Sequence, residues 1–120
     1  MTSEELLRHC LSKPGAWQDE PWEGDVVTKV DEKIFAFFGY ASVSVKGGGN
    51  REEADEWLVR YPDDAAVMAY IGRWGWNTLR LGGAIPDAEI IEAVDESYHM
   101  VVSKLPKSRR PEGWDRSSPS

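Results

Sequence analysis

A short stretch centred on Thr78 carries the side chains best suited to bind a ligand. If this stretch is a β-strand, successive side chains point to opposite faces of the sheet. Trp76, Thr78 and Arg80 then share one face, while Leu79 and Leu81 share the other. An aromatic ring flanked by cations can stack a single-stranded base or hold a phosphate. The same side chains suit a protein contact, since Trp and Arg are enriched at interface hot spots.

Further cations extend this candidate surface. Lys46 follows Val43 and Val45 at alternating spacing, so it takes the polar side of its own predicted strand. The full predicted binding surface consists of Lys29, Lys46, Arg73, Trp76, Thr78 and Arg80. In the alternative interpretation, a loop over residues 17–22 covers Trp76 and the cations are merely solvated.

A phosphate-binding loop receives less support. Gly47, Gly48 and Gly49 precede a predicted helix, whose N-terminal amides could bind an anion. The Gly-x-x-x-x-Gly-Lys-Ser/Thr pattern of a nucleotide loop is absent, however. Glu52 and Glu53 also occupy the first turn, where they would repel a phosphate. A flexible turn is the favoured interpretation.

Metal binding is a further alternative, suggested by one motif. Glu96 and His99 have the Glu-x-x-His spacing of di-iron helix bundles, and Glu92 lies one turn before them. Such a site needs two of these motifs, converging with further carboxylates, and only one is found. An earlier helix carries a second acidic group, expected to be a solvated surface: Glu52, Glu53, Asp55 and Glu56.

The single cysteine, Cys10, offers little for catalysis. It falls on the apolar face of the first predicted helix, where a buried, inert thiol is expected. No pair of carboxylates is marked as an acid and a base with different environments. We therefore expect no catalytic residues, no cofactor and no enzyme activity.

The elements that position these residues follow from hydrophobic periodicity and capping signals. Helices are predicted over residues 2–11, 50–60 and 87–104. Strands are predicted over residues 26–30, 34–38, 42–46 and 75–81. Residues 16–24 are expected to form a loop, residues 65–74 a helical turn followed by extended chain, and residues 107–120 a disordered tail.

Composition sets the broad class. The chain has 120 residues, a length that fits one domain over residues 1–106 followed by the tail. Its net charge is −7. With one cysteine, no signal sequence and no long apolar run, a cytoplasmic protein without membrane contact is expected. Residues 1–106 hold 19 acidic and 10 basic side chains, which argues against tight binding of duplex DNA.

Several motifs together resemble the MmcQ/YjbR family, over about residues 4 to 107. In order, they are Pro14-Gly15-Ala16, Glu20-Pro21-Trp22, Lys33-Ile34-Phe35-Ala36-Phe37, Val45-Lys46, Gly72-Arg73-Trp74-Gly75-Trp76 leading into Thr78-Leu79-Arg80-Leu81, Glu96-Ser97-Tyr98 and Leu105-Pro106. One departure is Asn77, at a strand position where an apolar residue is usual.

The resemblance implies an α+β fold similar to bacterial frataxins of the CyaY type, with helices packed on one face of an antiparallel sheet. It also implies a DNA-binding role. We therefore predict a monomeric, non-enzymatic DNA-binding protein that uses the open face of the sheet, aided by Lys107, Arg109 and Arg110. The alternatives are an adaptor that binds a protein partner or a small ligand on the same face, and weak frataxin-like metal binding on the acidic helices.

Overall fold

The first two helices begin at the residues that their capping signals predict. In the computed structural model, which describes residues 1–117, α1 spans Ser3–Leu11 and α2 spans Arg51–Arg60. Thr2 and Glu5 form a reciprocal capping box at the start of α1. The side chain of Asn50 caps α2 by accepting a hydrogen bond from the amide of Glu53. The last helix, α3, spans Asp87–Ser103 and confirms the strongest periodic pattern in the sequence.

All strands belong to one antiparallel sheet. The six strands are β1 (Ala16–Trp22), β2 (Asp25–Val30), β3 (Lys33–Phe38), β4 (Ser42–Lys46), β5 (Ala65–Val67) and β6 (Trp76–Arg80). Their order across the sheet is β1-β2-β3-β4-β6-β5. The predicted strands over residues 26–30, 34–38 and 42–46 and the strand centred on Thr78 are confirmed.

Two predicted segments are wrong. Residues 16–22 form strand β1 rather than a loop, because Ala16 and Trp17 pair with Val30 and Lys29 of β2. Pro21 and the neighbouring acids hid this strand, since both lower strand propensity. Residues 65–74 begin with β5 and end in a 3₁₀ helix over Gly72–Trp74, the reverse of the predicted order.

The helices cover one face of the sheet, as predicted. Helix α3 packs against β3 and β4, α1 packs against β1 and β2, and α2 packs against β5 and β6. Leu6, Phe35, Leu79 and Tyr98 are fully buried in the core that these layers enclose. Within residues 1–117, the opposite face of the sheet carries no helix. None of the described helices is long and apolar enough to cross a bilayer.

The unusual strand residue Asn77 is explained by a polar bridge to α2. Its side chain is fully buried and donates a hydrogen bond of 2.8 Å to the carbonyl of Ala54. Its amide oxygen accepts a hydrogen bond from Arg51, which also binds the carbonyls of Gly72 and Trp76. The asparagine therefore fastens β6 to α2 instead of filling the core.

The segment predicted as a disordered tail contacts the domain as far as Trp114. Arg110 donates hydrogen bonds to the carbonyls of Leu105 and Ser103, and Trp114 packs on the core and on the ring of His99. Arg109 lies 3.6 Å from Asp31, in the turn that precedes Lys33. Trp114, Arg109 and Arg110 thus make contacts with the domain. The composition of this segment does not predict these contacts. Residues 118–120 lie outside the described residues.

Cys10 is fully buried in the core, as its helical position predicts. Burial, reinforced by the negative charge of Asp95, raises the pKa of its thiol to about 12. The thiolate is the reactive form, so we expect native Cys10 to react with an aromatic disulfide reagent at pH 8 at least about 100-fold more slowly than in urea. Equal rates in the two conditions would show that the thiol is accessible in the folded protein.

Candidate ligand-binding site at one end of the sheet

Strand register places most of the predicted binding residues on the helix-free face. Lys46 pairs with Trp76, Ser44 with Thr78, and Ser42 with Arg80, and directly opposed side chains point to the same face. The hydroxyls of Ser44 and Thr78 are hydrogen-bonded to each other at 2.8 Å. The predicted alternation along β4 and β6 is therefore confirmed.

Trp76 is half-buried, but residues 17–22 do not cover it. Strand β1 lies at the far edge of the sheet, four positions away from β6, which carries Trp76. The ring of Trp76 instead packs edge-on against Phe37 of β3, with ring centroids 5.6 Å apart. Part of the ring is left accessible beside Lys46.

The predicted cations do not form one continuous basic surface. Lys29 shares the face, but its ammonium lies 2.7 Å from the carboxylate of Asp19. Arg80 is at the other end of the face, with its guanidinium 3.9 Å from Asp64. Arg73 belongs to the 3₁₀ helix rather than to a strand, and its guanidinium stacks on the ring of Trp74. Of the predicted cations on strands, only Lys46 has no carboxylate partner within residues 1–117.

Lys46 belongs to a pocket that the sequence did not predict as a unit. The first residue of β3, the last of β4 and the residue that follows α3 meet at one end of the sheet. They are Lys33, Lys46 and Lys104, and we call the cavity that they surround the lysine pocket. Its volume is about 370 Å³, and its remaining lining is Ile34, Trp76, Met100, Val101 and Leu105. The lining contains no carboxylate.

The charges of this pocket are not neutralised from within the described chain. Burial, and then the nearby positive charge of Lys104, lower the pKa of the Lys46 ammonium. Two cations are thus held close together over an apolar floor, an arrangement that costs free energy in the empty site. A bound anion would relieve both the desolvation and the repulsion.

Two local features fix the geometry of the pocket. The hydroxyl of Ser97 in α3 accepts a hydrogen bond from the amide of Lys46 and donates one to the carbonyl of Phe35. Gly75, at φ +97°, turns the chain into β6 and accepts a hydrogen bond from the amide of Gly47 at 2.7 Å. A side chain at Gly75 would meet the carbonyl of Gly48 at 2.5 Å, so the approach requires glycine.

Sequence reasoning missed Lys33 and Lys104, although it selected Lys46 and Trp76. Each missed lysine stands at the end of an element, where periodicity does not assign a face. Their only signal is that the start of β3, the end of β4 and the start of β6 share one end of an antiparallel sheet. No local pattern in the sequence predicts that α3 lies over that end of the sheet.

A second cavity lies between α2 and α3 and has the opposite charge. Its volume is about 900 Å³, and it is lined by Gly47, Gly48, Gly49, Glu53, Glu56, Trp57, Arg60, Glu89, Glu92, Glu96, His99 and Met100. Burial, and then the charge of Glu92, raise the pKa of Glu96, while His99 acts in the other direction. In the part of the chain that the structure describes, no three His, Cys, Asp or Glu side chains are placed to share a metal ion.

In the glycine loop beside this second cavity, backbone amides are already hydrogen-bonded to side chains at the start of α2. The carboxylate of Glu53 accepts a hydrogen bond from the amide of Gly49, and Asn50 accepts one from the amide of Glu53. Both contacts use amides that a phosphate would need. The interpretation of the loop as a turn is the one that these contacts support.

The fold and the site define a class: a small α+β protein with a lysine-rimmed pocket where the helix layer meets one end of the sheet. Comparison with known proteins identifies the family to which the chain belongs. The YjbR family model matches residues 11–100. The chain is 33% identical over 116 residues to the uncharacterized protein YjbR of Escherichia coli K12, covering 92% of this chain and 95% of that protein. The YjbR protein of E. coli O157:H7 shows the same identity and coverage.

A solved structure supports the fold. The crystal structure of Deinococcus radiodurans protein DR2400, with the family-model domain DUF419, superposes with a TM-score of 0.79 at 22% identity. The match covers 91% of this chain and 85% of that one. The chain belongs to the YjbR family.

Proposed function

We propose that this protein is a non-enzymatic binding protein that takes nucleic acid, DNA in the first instance, at the lysine pocket. The observation that carries the proposal is the convergence of Lys33, Lys46 and Lys104 around the accessible edge of Trp76, without a carboxylate in the lining. The lysines suit the phosphate groups of a nucleic acid, and the ring of Trp76 suits stacking with its bases.

The surrounding chain supports the same ligand. Residues 65–86 include Arg73 and Arg80 but no Asp or Glu, although the whole chain carries a net charge of −7. This segment, which supplies Trp76, therefore contributes positive side chains and no carboxylate of its own. The acidic remainder of the molecule weakens long-range attraction to a polyanion, so affinity depends on the few contacts at the pocket.

A small anionic molecule is the second candidate, and the size of the pocket favours it. A cavity of about 370 Å³ lies within the roughly 300–1,000 Å³ typical of small-molecule sites. Its apolar floor of Ile34, Val101 and Leu105 would suit a ligand with a carboxylate or phosphate on an aromatic or aliphatic body. A protein partner with an acidic side chain would use the same contacts.

The test is a titration of tryptophan fluorescence with short DNA oligonucleotides at low salt. We expect saturable quenching whose affinity falls with salt, with a slope of log K against log salt of about −2, because about three lysines release counterions. The Trp76→Phe variant should lose most of the signal, which assigns the quenching among the six tryptophans.

Controls separate the two candidates. Binding of an aromatic monocarboxylate or a nucleoside monophosphate as tightly as an oligonucleotide would favour the small ligand. Absence of quenching by any oligonucleotide at tens of micromolar would contradict nucleic-acid binding.

A further inference from the structure

A third cavity lies on the helix-free face and continues the lysine pocket along the sheet. It has a volume of about 510 Å³, and we call it the apolar groove. Its lining is Trp22, Asp25, Val26, Phe37, Phe38, Gly39, Ser42, Ser44, Met68, Ala69, Tyr70 and Ile71. Only one of these side chains is charged. The groove therefore offers apolar and aromatic surface where the lysine pocket offers charge.

The groove and the lysine pocket share a boundary. Phe37 lines the groove and Trp76 lines the pocket, and these two rings touch edge-on at 5.6 Å between centroids. Ser44, in the floor of the groove, is two residues from Lys46 on the same strand and on the same face. A ligand that leaves the pocket past Trp76 thus enters the groove directly.

Two exposed aromatic rings flank the groove from opposite edges of the sheet. Trp22 ends β1 and is 60% exposed, while Tyr70 follows β5 and is 99% exposed. Tyr70 also has a φ of +66°, which is unfavourable for a residue with a bulky side chain. Rings held out in this way leave their faces available for stacking.

We propose that this face binds a single nucleic-acid strand, with a phosphate in the lysine pocket and the bases in the apolar groove. This inference rests on the proposed function and specifies its ligand. Bases are accessible to such a groove only when they are unpaired, because in a duplex they are stacked inside and the phosphates lie outside. A duplex would meet the cations at the end of the face and leave the groove unused.

The dimensions of the face suit a short strand. From Lys46 to Ser42 the face spans four residue steps, about 13 Å at about 3.3 Å each. This length matches about four stacked nucleotides at about 3.4 Å each. Arg80, which pairs with Ser42 and lies 3.9 Å from Asp64, marks the far end of this span.

The test compares three ligands by fluorescence titration of the intact protein: a single-stranded tetranucleotide, an abasic sugar-phosphate tetramer and a duplex of equal strand length. We expect the tetranucleotide to bind at least about tenfold more tightly than the other two, since stacking on aromatic rings is lost in both. The Trp22→Ala and Tyr70→Ala variants should each weaken tetranucleotide binding several-fold. The Tyr40→Ala variant is the matched control, because Tyr40 is fully exposed and does not line the groove.

Each contrary outcome has a distinct meaning. If the abasic tetramer or the duplex binds as tightly as the single strand, and Lys46→Ala weakens all three, the groove inference is overturned and the proposed function stands. If none of the three ligands binds, both are overturned.

Discussion

Replacing Asp95 with alanine is expected to lower the free energy of unfolding by about 3–5 kcal/mol. Asp95 is 4% exposed and joins α3 to α1, with its carboxylate 2.7 Å from the ammonium of Lys13 and 2.8 Å from the ring of His9. The side chain of Lys13 is itself buried, so it cannot recover full hydration when this carboxylate is lost. Urea denaturation followed by tryptophan fluorescence measures the change.

Matched variants separate burial of the pair from its charge. Asp87 also makes an ion pair, with the amino terminus, but its side chain is 58% exposed, so Asp87→Ala should cost no more than about 1 kcal/mol. The double variant Asp95→Leu with Lys13→Met should recover most of the loss, because apolar side chains can replace a buried pair. A loss below about 1 kcal/mol for Asp95→Ala would show that the pair contributes little.

The largest effect on binding is expected from Lys46→Glu. The substitution places a carboxylate at the centre of the lysine pocket, so we expect oligonucleotide affinity to fall by at least about 30-fold and the salt slope to move towards zero by about one unit. The measurement is the fluorescence titration at two or more salt concentrations. Arg8→Glu is the matched control, since it changes the net charge equally but lies on α1, on the helix-covered side.

Stability and pH provide independent readouts of the same variant. Lys46→Glu replaces a repulsion by Lys104 with an attraction, so the melting temperature should be maintained or raised. In the wild type, burial and Lys104 lower the pKa of Lys46, so its charge is lost at a lower pH than that of an ordinary lysine. Anion affinity should therefore fall as pH rises through this lowered pKa. Loss of binding accompanied by unfolding, or equal loss in Arg8→Glu, would contradict a specific role for Lys46.

The sequence predicted most of the fold because its elements carry strong local signals. Helix α3 has a long apolar stripe, α1 and α2 have capping residues, and β4 alternates serine with valine. Strand β1 was missed because Pro21 and its acidic neighbours give no strand pattern. Pairing with β2 overrides that weak local preference.

The site was predicted in part, for a related reason. Alternation places Lys46, Trp76 and Arg80 on one face without any knowledge of the third dimension. It does not reveal that Asp64 neighbours Arg80, or that Lys104 neighbours Lys46, because these contacts join distant parts of the chain. The net charge of a surface depends on such neighbours. The basic surface that was predicted to be continuous is therefore reduced to the lysine pocket.

The outer edge of β1 has a consequence for how molecules of this protein meet each other. An edge strand of seven residues exposes unpaired backbone groups that could extend the sheet into a neighbouring molecule. Pro21 removes one donor from this edge, and Asp19 and Glu20 would face equivalent carboxylates if two copies aligned there in antiparallel fashion. The proline and the two acids that obscure the strand pattern of β1 in the sequence therefore also oppose edge-to-edge aggregation at this strand.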